Sequence, residues 1–255
     1  MRLSFQVQGE GFSLIILHGF LGSSDNWRGM GKRLSDRYAV YSLDLRNHGS
    51  SPHSDIMNYR VMAQDVREFI DDHGLSSSFV LGHSMGGNVA MHFATEFPNR
   101  VDKLIVVDIA PKAYPPFYRP ILRALSALEL SAYKSFGEVD AALKSAIPEA
   151  PLRQFLVKNL ARDEQGGLRW KIDLKVIERN YDNLAMAIAP QQNFTGPACF
   201  IRGGRSHYIH DGDISLIRKI FPRAEIKTIP NAGHWAHVDA PQEFLKIVTD
   251  FLSSD

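Results

Sequence analysis

Cysteine is nearly absent: Cys199 is the one thiol in 255 residues. A lone thiol closes no internal disulfide and cannot build a cysteine-based zinc site, which excludes a cross-linked secreted scaffold. No sign of charge dominates either. Lys and Arg number 29 against 28 Asp and Glu, a net +1, and no block of five like charges occurs. A nucleic-acid binder needs a basic stripe for phosphates, and none is present. Long hydrophobic runs are missing as well. The stretch nearest to one, residues 12–17, is far short of the ~20 apolar residues of a membrane span. Residues 1–10 lack the apolar centre of a signal peptide and alternate like a strand, so a cytoplasmic protein is expected. Low complexity is absent too: 44% hydrophobic and 22% charged residues, with 19 Gly and 13 Pro, exclude a collagen-like or disordered chain.

What is present is a rhythm of short apolar runs and amphipathic stretches. Residues 13–17 read as a buried strand ending in His18-Gly19. A helix with a serine N-cap is expected over 24–36, a strand over 38–43, and a helix over 58–73. In that last helix Met62, Val66, Phe69 and Ile70 share one face, and Gly74 supplies the stop. A strand over 79–81, a helix over 88–97 and a strand over 103–107 complete the pattern. Strands separated by helices imply βαβ units, hence an α/β fold with a mostly parallel central sheet flanked by helices.

The rhythm then pauses. Between Ala113 and Pro190 no strand is evident, and helices are expected near 121–128, 136–146, 152–160 and 174–187. The βα pattern resumes with a strand at 198–201, a helix near 214–221, a strand at 225–229 and a last helix over 242–252. The reading is therefore a core over 1–112, an all-helical cap insertion over 113–190, and a second core stretch over 191–255.

The sharpest chemical signal is Gly82-His83-Ser84-Met85-Gly86, between a short apolar strand and a helix. A nucleophile elbow needs that arrangement: a tight turn lifts the serine hydroxyl clear of the sheet, and the flanking glycines permit close backbone approach. Serine is a poor nucleophile without a base, so a histidine is required beside it. Of the ten histidines, His53, His73 and His92 are expected on solvated surface. His234, in Asn231-Ala232-Gly233-His234-Trp235, lies in a loop before the final helix, at the carboxyl edge of the sheet where the elbow also lies. His237 is the alternative nearby.

Four segments carry a resemblance: His18-Gly19-Phe20-Leu21-Gly22, Asp44 to Ser51, Gly82 to Gly87, and Gly233-His234-Trp235. In order and spacing they resemble the α/β-hydrolase fold family in its cap-bearing esterase branch, and are similar to the YbfF-type bacterial esterases and the ABHD11-type hydrolases. The likeness spans nearly the whole chain and is weakest in the cap. Many members place the triad acid after the strand that follows the cap, where this chain has Ser206 instead of Asp. The resemblance points to Asp108, at the end of the strand after the nucleophile helix, with Asp211 and Asp213 as the remaining candidates. The order Ser84, Asp108, His234 keeps the chain order of the fold.

The resemblance implies a serine carboxylesterase acting on short- to medium-chain acyl esters or thioesters through an acyl-enzyme. The backbone N–H groups of Phe20 and Met85 would form the oxyanion hole. His18 is expected to brace its loop, His83 to pack beside the elbow, and Asp44 with Arg46 to organise the neighbouring loop. Tyr114, Phe117, Tyr118, Leu122 and Leu125 either line an acyl pocket or form the cap's own core. No cofactor and no metal are implied, and the expected partner is a small-molecule substrate, with the chain a monomer or homodimer. A C–C bond hydrolase, a perhydrolase and a triad-retaining ligand receptor are the competing readings. Dehalogenase and epoxide-hydrolase chemistry is disfavoured, because it needs an Asp where Ser84 stands.

Overall fold

The computed structural model describes residues 1–188, 190 and 192–254. Its strands are β1 (Phe5–Gln8), β2 (Phe12–Leu17), β3 (Tyr38–Leu43), β4 (Ser78–His83), β5 (Val101–Val107), β6 (Leu160–Arg162), β7 (Leu168–Trp170), β8 (Ala198–Gly203) and β9 (Ala224–Ile229). Seven of them form one sheet in the order β1-β3-β2-β4-β5-β8-β9. Only the edge strand β1 runs antiparallel; every other pairing is parallel. Strands buried on both faces need apolar residues on both, which is why the carboxyl-terminal parts of β2 and β5 read as unbroken apolar runs. Leu14, Ile15, Ile16 and Leu17 are wholly buried, as are Leu104 to Val107.

The helices are α1 (Arg28–Leu34), α2 (Tyr59–Asp72), α3 (Met85–Glu96), α4 (Arg119–Ser126), α5 (Phe136–Leu143), α6 (Ala150–Val157), α7 (Leu174–Ala185), α8 (Ile214–Ile220), α9 (Ala236–Asp239) and α10 (Pro241–Ser253). Alternate strand residues serve opposite faces of the sheet. Ile15, Leu17, Val80, Leu104 and Val106 join Met62, Val66, Val89 and Phe93 of α2 and α3. Leu14, Ile16, Leu81, Ile105 and Val107 join Trp27, Met30 and Leu34 together with Phe244 and Val248 of α10. Cys199, on β8, is fully buried, and burial pushes its thiol pKa up to about 12.

Helix boundaries follow local chemistry. Asn58 caps α2 by accepting from the Val61 N–H at 3.0 Å, and Gly74 ends the helical stretch with φ +64°. The helix expected over 24–36 divides into a 3-10 turn, Ser24–Trp27, followed by α1.

The segment between β5 and β8 carries α4 to α7, close to the expected helices. It is not all-helical, however: β6 and β7 form an antiparallel hairpin. Their turn is built by Asp163, whose Oδ1 accepts from the N–H groups of Gln165 and Gly167 at 3.0 and 2.7 Å, while Gly166 adopts φ +83°. Each strand has three residues, too few for alternation to show in the sequence. Leu122 and Leu125 are fully buried and share one apolar cluster with Val139, Leu143, Leu156 and Ile177 of the other insertion helices. The same cluster continues into α2 and α3, so the insertion and the core share one apolar interior. The expected boundary at 190/191 adjoins residues 189 and 191, which lie outside the described residues.

One buried ion pair anchors the loop after β3. Arg46 Nε and Nη2 donate to Asp65 of α2 at 2.6 and 2.7 Å, and Nη1 donates to the Ile56 carbonyl at 2.7 Å. Both side chains are under a tenth exposed. Removing one partner leaves the other charge buried and uncompensated, which costs roughly 3–5 kcal/mol. Asp65→Ala is therefore expected to lower the unfolding free energy by about that amount, read from the urea midpoint. A shift under about 0.5 kcal/mol, typical of a surface change, would contradict the role assigned to this pair.

Candidate active site

β4 and β5 pair with His83 opposite Val107, so Ser84 and Asp108 leave the sheet side by side. Both take left-handed backbone conformations, φ +52° and +54°. Such conformations are costly for a residue with a β-carbon and persist only where the surroundings hold them. Here the Ser84 N–H donates to the Val107 carbonyl at 2.9 Å, and the Asp108 N–H to the Ile201 carbonyl at 2.8 Å. Gly86 lies against the end of β2, where a β-carbon would overlap the carbonyl oxygens of Leu17 and His18.

His234 arrives from the loop after β9. A β-carbon on Gly203 would overlap the Gly233 carbonyl, so glycine there lets this loop close onto the end of β8. Asp239 Oδ2 accepts from the Gly233 N–H at 2.7 Å and fixes the loop's approach. The result joins three groups distant in sequence. His234 Nδ1 is 2.8 Å from Asp108 Oδ2, and His234 Nε2 is 3.0 Å from Ser84 Oγ. A carboxylate only accepts, so Nδ1 carries the proton and Nε2 is left to accept from the serine hydroxyl.

Asp108 is fully buried and receives three donors. The Gly203 N–H donates to Oδ1 at 3.1 Å; the Ser206 hydroxyl and His234 Nδ1 donate to Oδ2. Ser206, which stands where an acid was the common expectation, thus hydrogen-bonds the acid that occupies the neighbouring strand end. Asp211 and Asp213 are engaged elsewhere: Asp211 pairs with Arg202 at 2.7 Å and Asp213 with Lys112 at 2.6 Å.

The imidazole of His234 is flanked on two sides. Tyr208 stacks on it with ring centres 4.0 Å apart, and His83 Nε2 donates to its carbonyl at 2.8 Å. Burial, followed by the nearby His234 and His237, drives the His83 pKa well below its usual range, so His83 stays neutral. His18 ties two loops, with Nδ1 2.8 Å from the Gly19 carbonyl and Nε2 accepting from the Leu45 N–H at 3.0 Å. Asp44 accepts from the N–H groups of Ser24 and Ser50 at 2.7 and 2.8 Å. These residues hold loops, as the sequence suggested.

The turn 19–22 closes with Gly22 N–H to Gly19 carbonyl at 3.0 Å and lies against the elbow, where a β-carbon on Gly19 would stand 3.5 Å from Ser84 Cβ. Among the described residues neither the Phe20 nor the Met85 N–H donates to a group of the protein. The Met85 N–H opens α3, at the positive end of the helix. Together the groups can transfer a proton from Ser84 to His234 and hold negative charge on an oxygen bound near Ser84.

Ser84 lines two cavities, with Phe20 and Tyr118 bordering both. The wider, of about 300 Å³, is edged by Asn26, Trp27, Gln154, Lys158, Trp235 and His237. The narrower, of about 50 Å³, is lined by Met85, Ile109, Tyr114, Phe117, Leu184 and Tyr208. Tyr114, Phe117 and Tyr118 therefore face cavities, whereas Leu122 and Leu125 are core. Two buried polar atoms near these cavities have no partner among the described residues: Asn88 Oδ1 and His237 Nδ1. His237 stacks on Trp27 at 4.2 Å, and burial lowers its pKa to about 3. His92 departs from expectation: it is half-buried and stacked on Tyr59 at 5.7 Å, with its pKa lowered to about 4 by burial and Arg60. Tyr208, Ser206 and Asn88 were not singled out as site residues by sequence reasoning. Only Asn88, one helical turn after Ser84, had a spacing that could have marked it.

Known proteins resemble this chain over nearly its whole length. The family model described as alpha/beta hydrolase fold matches residues 13–241. The sn-1-specific diacylglycerol lipase ABHD11 of Mus musculus is 37% identical over 250 residues, 94% of this chain and 81% of that protein. Esterase YbfF of Escherichia coli (strain K12) is 30% identical, across 97% of this chain and 96% of that protein. The solved structure of a marine microorganism esterase superposes with a TM-score of 0.96 at 43% identity, covering 98% of this chain and 99% of that one. With matches this broad, the chain belongs to the α/β hydrolase fold family, as a carboxylic ester hydrolase among its esterases and lipases.

Proposed function

We propose that the protein cleaves short- to medium-chain acyl esters or thioesters through an acyl-enzyme on Ser84. The observation that carries this reading is the continuous hydrogen-bond chain from Ser84 Oγ through His234 to the buried Asp108. In the proposed mechanism His234 takes the serine proton as Oγ attacks the acyl carbon, then returns it to the departing alcohol or thiol. Asp108 holds the tautomer and stabilises the imidazolium; its three donors keep it in place. The Phe20 and Met85 N–H groups receive the oxyanion, and losing one such donor costs about 3 kcal/mol of transition-state stabilisation. Water then enters and gives a proton to His234 as its oxygen bonds the acyl carbon; the Ser84 Oγ–acyl bond breaks, His234 returns the proton to Oγ, and the acid leaves.

The two cavities divide the substrate. The narrower, apolar one suits the acyl chain. The wider one, with Asn26, Gln154, Lys158 and His237 at its edge, suits a leaving group that carries polar atoms. The insertion supplies walls to both and so acts as a cap that sets acyl preference.

Ser84→Ala is expected to abolish turnover of a p-nitrophenyl ester series from acetate to dodecanoate. Asp108→Asn should lower kcat by up to ~10⁴-fold with an unchanged fold. Near-normal activity in Asp108→Asn, with loss in Asp211→Asn or Asp213→Asn, would reassign the acid.

Tyr118 borders both cavities, and shortening it is expected to widen the passage between them. Tyr118→Ala is expected to raise the octanoate-to-butanoate ratio of kcat/KM by ~10-fold. An unmoved ratio would show that the chain lies elsewhere.

A further inference from the structure

Among the described residues four non-glycine residues have positive φ: Ser84, Asp108, Leu21 at +56° and Asn47 at +64°. The first two present the reacting groups. The other two lie on core loops, and the insertion grips the carbonyl of each. Asn159 Nδ2 donates to the Leu21 carbonyl at 2.7 Å, and the Asp173 N–H donates to the Asn47 carbonyl at 3.1 Å.

Leu21 is the third residue of the turn that carries Phe20. A positive φ at that position is ordinarily supplied by glycine, so a leucine there needs its peptide groups held. They are held from both sides. The Leu21 N–H donates to His48 Nε2 at 3.3 Å, while the Leu21 carbonyl accepts from Asn159. His48 Nδ1 lies 2.9 Å from the Arg46 carbonyl, so Nδ1 carries the proton and Nε2 accepts. Burial, with His18 nearby, lowers the His48 pKa to about 3, and this acceptor persists at ordinary pH.

Asn159 itself has little freedom. It is 3% exposed, and its amide also donates to the Leu156 carbonyl at 3.2 Å. Two carbonyls facing one amide end require that end to be the NH₂. Its backbone carbonyl accepts from the Lys171 N–H at 2.7 Å, next to the β6–β7 hairpin.

We propose that Asn159 is a positioning residue for the oxyanion-binding turn. Through this one amide the insertion holds Leu21 left-handed and keeps the Phe20 N–H aimed beside Ser84; an insertion that lifts away releases both. The inference rests on the esterase reading above and adds to it: enclosing the substrate and completing the oxyanion hole become one event.

The test uses Asn159→Leu, similar in size but without a donor, and Asn159→Asp. For p-nitrophenyl butanoate, Asn159→Leu is expected to lower kcat by ~10- to 100-fold, somewhat less than outright loss of one donor, with KM within about twofold. Affinity for an alkyl trifluoromethyl ketone should fall by the same factor. That ketone forms a bond from its carbonyl carbon to Ser84 Oγ, passes the serine proton to His234 and leaves an oxyanion in the hole. In Asn159→Asp a protonated carboxyl donates as the amide did, whereas the ionised form repels the Leu21 carbonyl. Its kcat, divided by the wild-type value at each pH, is expected to be highest at the acidic end and to fall as pH rises. The same ratio for Asn159→Leu stays flat.

The Asn159→Asp ratio is read within one variant, so it decides the matter even if Asn159→Leu does not fold. An unchanged kcat, a change in KM alone, or a flat Asn159→Asp ratio would overturn the proposal. Wild-type inactivity towards every ester would instead sink the underlying esterase reading, a result seen before any Asn159 variant is made.

Discussion

The parallel pairing of β4 with β5 is the constraint on which the site depends. It sets His83 opposite Val107 and therefore delivers Ser84 and Asp108 to the same edge as neighbours. Neither residue could be moved by one position without turning its side chain to the other face of the sheet. Both must also turn sharply out of their strands, and the left-handed backbone at each is the means. The central strands below them are buried on both faces and mostly apolar, which gives the rigidity needed to hold two strained corners.

Around this edge the polar groups are accounted for nearly one by one. Asp108 has three donors, Asp44 binds two backbone N–H groups, and His18, His48 and His83 each tie a ring nitrogen to a loop carbonyl. Neutral histidines suit this task because each offers one donor and one acceptor without a buried charge. The loops are thus held by directional bonds where apolar packing would be too permissive. The two orphan atoms, Asn88 Oδ1 and His237 Nδ1, belong to residues that line the cavities rather than the loop scaffold.

Much of this was legible in the sequence, for local reasons. A buried strand, a glycine-flanked serine and the start of a helix are contiguous, so Ser84 announced itself; His234 did so through its glycine and its place before the last helix. The acid did not, because its identity depends on which carboxylate reaches His234 Nδ1 in space, and that is not written locally. Asp108, Asp211 and Asp213 are alike in sequence; the contacts separate them, Asp108 meeting His234 while Asp211 and Asp213 pair with Arg202 and Lys112. Ser206 looked like a missing acid, yet it sits on the strand end adjacent to Asp108 and donates to it. The β6–β7 hairpin escaped because two three-residue strands carry no period. His92 escaped because its helix face is covered by Tyr59, a residue from another helix.

The burial of Cys199 has a practical consequence. Its sulfur is fully buried in the apolar layer between the sheet and α10, with a thiol held largely protonated. Thiol reagents act on the thiolate, so the native chain presents them with almost nothing to modify. A cysteine introduced at an exposed site on the insertion, such as Met186, would then be the one reactive position in the molecule. The fold thereby provides a ready background for a single spectroscopic label, through which the motion of the insertion relative to the sheet can be watched in real time.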